Sequence, residues 1–163
     1  MQATHIKPNF ASVNMSSNLE YIFSAKSVAV IGASRNPGKI GYVTLENFVK
    51  GGYKGKLFAV NPSAESILNV KCYPTLSAIK EKVELAVITI PGEFVPKTIE
   101  ECGKKGVKAC VIISAGFSEV GNHDLTRKLQ AAMDKYPNMP CIGPNCLGVM
   151  DVKTGIDTLF LPR

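Results

Sequence analysis

Short continuous apolar runs, each ending at a cluster of small residues, constrain this chain more than any other feature. The runs SVAVI at 27–31, KLFAV at 56–60, LAVITI at 85–90 and ACVII at 109–113 show no alternation of apolar and polar positions. A strand with one wet face alternates; a strand buried on both faces does not. Between the runs, apolar residues recur at helical spacing: Gly41, Leu45, Phe48 and Val49, then Val95, Ile99 and Cys102, then Leu125, Leu129, Ala132 and Met133. Strands alternating with helices in this way predict an α/β chain, a Rossmann-like doubly wound parallel sheet in three α/β/α layers. Right-handed crossovers give an expected strand order of 3-2-1-4-5, with a weaker run at 70–73 as the third strand.

The first run leads into the most informative loop, SVAVIGASRNPGKIG at 27–41. The strand stops at Gly32 and a helical pattern begins near Lys39. Glycines let a backbone approach an anion closely, and the unpaired N–H groups of a first helical turn point at it. The dinucleotide fingerprint G-x-G-x-x-G is absent: Ser34 takes the second glycine's place, and Gly38 and Gly41 follow. The segment Asn36-Pro37-Gly38-Lys39 predicts a type II turn, with Gly38 supplying a positive φ. A hydroxyl at Ser34 and cations at Arg35 and Lys39 suit a phosphate, each charge-assisted bond contributing roughly 1.5–3 kcal/mol. The competing reading is a plain tight turn whose glycines serve only packing.

The second strand ends at Val60, Asn61, Pro62 and Ser63, with no acid before Glu65. An NAD-binding fold places an Asp or Glu at this point to take the ribose hydroxyls. Its absence disfavours NAD and leaves room for a ribose that carries a phosphate. The tips ASRNPGK, NPS, IPG, SAG and GPN are all expected along the carboxyl edge of the sheet, where such folds bind ligands.

Bulk properties exclude several classes. With 163 residues and 45% hydrophobic content, one domain with a sizeable core is the default. No run is long enough to span a membrane and no signal-peptide centre precedes residue 18, so a cytoplasmic protein is expected. The five cysteines form no C-x-x-C pair, and neither a zinc site nor a disulfide framework is predicted. The net charge of +6 would tolerate a polyanion, but the cations are dispersed, aromatics make up 7%, and no base-stacking module is present. A small phosphorylated ligand is expected, not nucleic acid, membrane or metal. Residues 1–18 are polar and aperiodic and are expected to be a flexible arm. The domain proper is expected at 19–152, opening with a helical turn at 19–23, and residues 153–163 as a linker toward a further domain. His5 and His123 lack orienting partners, so no catalytic residue is assigned.

The ordered stretches SVAVIGASRNPGKIGY, GYKGKLFAVNP, YPTL, ELAVITIPGEFVP, KACVIISAGFSEVG and CIGPNCLGVMD together resemble the CoA-binding domain that opens the α part of NDP-forming acyl-CoA synthetases. The archaeal ADP-forming acetate–CoA ligases are the more similar branch, and the succinyl-CoA synthetase α subunit is more distant. The resemblance implies a site for coenzyme A. Gly32, Ala33, Ser34, Lys39 and Gly41 would form the phosphate loop, with Arg35 beside it. Asn61 and Pro62 would border the adenosine, and Ile90 and Pro91 would line the groove. Ser114, Ala115 and Gly116 would approach the pantetheine arm, and Pro144 and Asn145 the acyl end. The succinate enzyme has Glu where Ala115 stands, so any contact of that carboxylate is missing. The family reaction, acyl-CoA + phosphate + ADP ⇌ acid + CoA + ATP, also needs a phosphohistidine domain and an ATP-grasp domain, in the same chain or a partner subunit. This chain alone is therefore expected to bind CoA without completing the reaction. Two other readings stay open: a free-standing CoA-binding regulatory protein or the CoA-binding end of a protein acetyltransferase, and an NAD(H)-sensing domain.

Overall fold

The computed structural model describes residues 18–161. Helix α1 (Tyr21–Ser24) leads into strand β1 (Ser27–Ile31), helix α2 (Ile40–Lys50) and strand β2 (Lys56–Val60). A small hairpin of β3 (Ser66–Ile67) and β4 (Val70–Tyr73) follows, then a 3₁₀ turn at Leu76–Ala78 and strand β5 (Leu85–Ile88). Helix α3 (Val95–Lys105), strand β6 (Ala109–Ile112), helix α4 (His123–Asp134) and strand β7 (Cys141–Ile142) complete the sheet. The seven strands lie in the order β3-β4-β2-β1-β5-β6-β7. All neighbours are parallel except β3, which runs antiparallel to β4. The expected 3-2-1-4-5 order is thus present as β4-β2-β1-β5-β6, extended by one short strand at each edge. The chain reverses its direction of winding between β1 and β5, which opens a crevice at their carboxyl ends.

Successive residues of the central strands enter opposite cores, which is why no alternation was visible in the sequence. Ala29, Ile31, Ala86, Ile88, Cys110 and Ile112 pack with α3 and α4 on one face. Val28, Val30, Leu85, Val87, Ala109 and Val111 pack with α1 and α2 on the other. Helix α3 stops where expected, at Gly106 with φ +78°, and α4 starts where the Asn122 side chain accepts the Leu125 N–H at 3.1 Å. His123 is exposed in the first turn of α4, and His5 lies outside the described residues.

Two expectations are corrected. Val49 is 46% exposed, because the buried face of α2 turns Thr44 and Asn47 inward with Gly41, Leu45 and Phe48. Gly38 does not take a positive φ, so the Asn36–Lys39 turn is not type II. Asn36 tightens that turn instead: its carbonyl accepts the Lys39 N–H at 3.0 Å and its Oδ1 accepts the Gly38 N–H at 3.0 Å. An antiparallel hairpin of β8 (Met150–Asp151) and β9 (Ile156–Asp157) follows, and Ile156, Asp157 and Thr158 are buried against the sheet and α2. The reason is Asn47, whose Nδ2 donates to the carbonyls of Leu159 and Leu161 at 2.8 and 3.1 Å.

At the amino end of the sheet, the buried Glu84 accepts the Lys26 N–H at 2.8 Å and the Lys82 ammonium at 3.0 Å. Burial by itself would raise its pKa, but these two donors and the nearby lysine charge hold it below the usual carboxylate value. The folded pKa is depressed, so the stabilisation is complete above the unfolded glutamate value of about 4.3 and fades as pH falls through the folded one. Acid denaturation followed by circular dichroism is expected to show a weaker pH dependence below about 4.3 in Glu84→Gln than in the parent chain. Identical acid limbs would mean that Glu84 does not couple to folding.

Candidate functional site

Two glycines set the geometry at the carboxyl edge. Helix α2 begins so close to the end of β1 that a Cβ on Gly41 would lie 2.0 Å from the Gly32 carbonyl oxygen. Gly32 itself has φ +94°, and a Cβ there would meet Ile90 and Thr89 at 2.8 and 2.9 Å. The packing reading of these glycines is therefore correct, and it is also what exposes the helix start. Lys39 caps α2 in extended backbone with no side-chain cap. Among the described residues the N–H groups of Ile40 and Gly41 have no protein acceptor, so they remain available to an anion. Ser34 Oγ accepts the Asn36 N–H at 3.0 Å, which leaves its own proton to donate.

A cavity of about 560 Å³ opens above this edge, lined by Gly32, Ala33, Ser34, Lys39, Gly41, Asn61, Pro62 and Ile90 among others. A second, of about 400 Å³, is lined by Ile90, Pro91, Ser114, Ala115 and Asn145. Lys39, Ile40, Thr89 and Ile90 belong to both, so the two form one groove that runs across the sheet with a cation at its middle. Ser34, Asn61 and Pro62 lie in the first half of the groove, and Pro91, Ser114, Ala115 and Asn145 in the second.

Asn61 performs a different task from the one expected. Its Nδ2 donates to the Ala33 carbonyl at 2.7 Å and its Oδ1 accepts the Ser63 N–H at 2.7 Å. The side chain thus ties the first loop to the tip of β2. Arg35 is exposed and lines neither cavity. It lies on the β4 side, where its charge opposes the rise that burial causes in the Cys72 thiol. Gly116 lines neither cavity, and its N–H is held by Glu119 Oε1 at 2.5 Å, with that of Phe117 at 3.1 Å. These two donors keep the Glu119 carboxyl below its usual range. Pro144 lines neither cavity, and the Asn145 N–H donates to the Ser114 carbonyl at 2.9 Å, holding the ends of β6 and β7 together.

Several groove residues escaped sequence reading. Thr89 was absorbed into an apolar run, although a lone hydroxyl at the carboxyl end of a buried strand was the available signal; it donates to the Ile31 carbonyl at 3.0 Å. Thr75 and Leu76 come from the turn after β4, and Phe160 from the segment after β9. Glu101 is the more consequential addition. It comes from α3, accepts the Ser77 N–H at 2.9 Å, and places a carboxylate in the larger cavity. The tip of β2 lacks an acid as read, yet the groove does not.

Comparison with known proteins gives the chain's family. The chain is 46% identical over 142 residues to an ADP-forming acetate–CoA ligase of Methanocaldococcus jannaschii, covering 87% of this chain and 20% of that protein. It is 42% identical over 151 residues to the α subunit of ADP-forming acetate–CoA ligase I of Pyrococcus furiosus, covering 89% and 32%. Acetyl-coenzyme A synthetase 1 of Ca. Korarchaeum cryptofilum, solved with phosphate and ADP, superposes with a TM-score of 0.84 at 40% identity, over 88% of this chain and 31% of that one. The chain thus spans between a fifth and a third of the length of these relatives. A family profile described as "CoA binding domain" matches residues 26–151, and the chain belongs to that CoA-binding domain family.

Proposed function

We propose that the groove binds coenzyme A, and that this chain is the CoA-binding part of an ADP-forming acid–CoA ligase. The observation that carries the reading is the continuity of the groove through Lys39, between a glycine-packed helix start and a second wall formed by Ile90, Pro91 and Ser114. Phosphates placed at Ser34, Lys39 and the free N–H groups of Ile40 and Gly41 would put the adenosine toward Asn61 and Pro62. The pantetheine arm would then pass Ile90 and Pro91 toward Ser114, Ala115 and Asn145. In the whole enzyme the acyl group would be exchanged with phosphate, and the phosphoryl group carried by a histidine to ADP. The phosphohistidine and ATP-grasp domains that this requires would lie outside the present residues, and the enzyme would work in the cytoplasm. Among the described residues no helix is long and apolar enough to cross a membrane.

Glu101 favours one competing reading, because a carboxylate in the larger cavity suits the free ribose hydroxyls of NAD. Thermal unfolding separates the two. Coenzyme A at about one hundred times its Kd is expected to add about 2.7 kcal/mol of stability, a rise in Tm of roughly 5–10 °C for a chain of this size, with NAD giving little or none. An equal or larger shift from NAD overturns the proposal. Lys39→Ala is expected to weaken CoA binding by roughly 1.5–3 kcal/mol, about ten- to hundred-fold in Kd by isothermal titration. Unchanged affinity would make Lys39 a bystander at the helix start.

A further inference from the structure

Away from the groove, the fold gathers three thiols that no step above uses. Cys110 of β6 and Cys141 of β7 are register partners in the parallel ladder, and both side chains face the core beneath α3 and α4. Cys102 of α3 belongs to the same buried cluster. Cys102 and Cys110 are fully buried. Cys141 is half-buried, lines an open pocket of about 330 Å³ with Met133, Tyr136 and Met139, and donates its S–H to the Met139 carbonyl at 3.5 Å. Among the described residues no group of three or more His, Cys, Asp or Glu side chains is arranged to hold a metal ion. The geometry is that of a thiol pair. Adjacent strands lie about 4.8 Å apart, inside the roughly 4.4–6.8 Å Cα separation that a disulfide spans.

We propose that Cys141 and Cys110 form a peroxide-responsive pair, with Cys141 as the oxidised thiol and Cys110 as the resolving thiol. The division of labour follows from access, since only Cys141 meets the pocket. It also follows from charge: the neighbouring Cys110 holds the Cys141 thiol below its usual range against the effect of burial. The neighbouring Cys102 and Cys141, together with burial, push Cys110 well above. The thiolate is the reactive form, so oxidation begins at Cys141.

In the first step the Cys141 thiolate attacks one oxygen of a hydroperoxide and the O–O bond breaks. The other oxygen leaves as hydroxide or alkoxide and takes a proton from water, and the sulfur loses two electrons to become a sulfenic acid. In the second step the Cys110 sulfur attacks that sulfur, the S–S bond forms and the S–O bond breaks. The Cys110 proton leaves with the hydroxyl as water. The bridge would fasten β6 to β7 just before Ser114 and Asn145, the pair joined at 2.9 Å that walls the second cavity. None of this depends on what the groove binds.

The test treats the chain with hydrogen peroxide, blocks remaining thiols with iodoacetamide, and maps unreduced peptides by mass spectrometry. The expected product is an intramolecular Cys110–Cys141 bridge, a loss of two hydrogens from the intact mass that dithiothreitol reverses. Cys110→Ala is expected to stop at a sulfenic acid on Cys141 that takes up dimedone. If that variant does not fold, the map of the parent chain decides by itself. The proposal is overturned if Cys141 stays open to iodoacetamide, if it proceeds to sulfinic acid without a bridge, or if the bridge joins any other pair.

Discussion

Gly41→Ala is expected to destabilise the chain by about 3 kcal/mol and to weaken the binding of CoA with it, although glycine to alanine in a helix ordinarily gains up to about 1 kcal/mol. The sign reverses because the new Cβ would stand 2.0 Å from the Gly32 carbonyl oxygen, 2.8 Å from its carbon and 3.0 Å from Thr89 Oγ1. Two of these atoms are backbone and cannot rotate away, so helix α2 must shift from the sheet and carry the free N–H groups of its first turn out of position. Gly38→Ala is the control. Its Cβ would meet only Asn36 Oδ1, at 3.5 Å, and its φ is not positive, so the stability should stay within about 0.5 kcal/mol of the parent or rise slightly. Urea unfolding of the two variants checks both numbers. A Gly38→Ala penalty as large as that of Gly41→Ala would restore the type II turn and remove the argument from close approach.

The second large effect is expected at Asn61. Asn61→Ala removes the donor to the Ala33 carbonyl and the acceptor of the Ser63 N–H, two hydrogen bonds worth about 2 kcal/mol together. The loss in CoA affinity is expected to be at least about tenfold, because the loop that must present Ser34 is no longer fastened to β2. Asn61→Asp keeps the acceptor for Ser63 but turns an anion toward a carbonyl oxygen and toward the phosphates of the ligand. It should therefore bind CoA more weakly than Asn61→Ala does. Titration calorimetry and unfolding on the same samples give both quantities. Parent-like stability in Asn61→Ala would show that the loop holds its shape without the amide, and stronger CoA binding in Asn61→Asp would reverse the electrostatic reading of the groove.

These two residues also mark how far the sequence could be read. Gly41 entered the phosphate loop through the family resemblance, while its spacing from Leu45 and Phe48 and its neighbours in the chain were enough to suggest a strand, a bend and a helix. Asn61 was noticed for the acid it is not. That its amide would reach across to Ala33 depends on β2 lying beside β1 in one register, with Val60 opposite Ile31. Arg35, Gly116 and Pro144 sit in the right loops but outside the groove, since neighbours in a loop diverge in direction within a residue or two. The Asn36–Lys39 turn shows the same limit at short range. Pro-Gly allows a type II turn, but the side chain of Asn36 captured the Gly38 N–H and another turn formed.

What the amino-acid order determined by itself was local and periodic. Runs without alternation require strands buried on both faces, helical stripes require layers over them, and right-handed crossovers narrow the sheet to a few doubly wound orders, among which the structure shows β4-β2-β1-β5-β6 at the centre. Glycine and proline at the strand ends placed the binding edge for the same reason, because they act on their own backbone. Only the tertiary structure decided what faces that edge from a distance. Glu101 reaches the groove from a helix whose sequence shows an ordinary charged surface. Phe160 reaches it because the buried Asn47 binds the backbone of Leu159 and Leu161. Cys110 and Cys141 meet through the register of two strands joined by a helix. Such contacts are set by how whole elements pack and slide against one another, and no window of neighbouring residues contains that information.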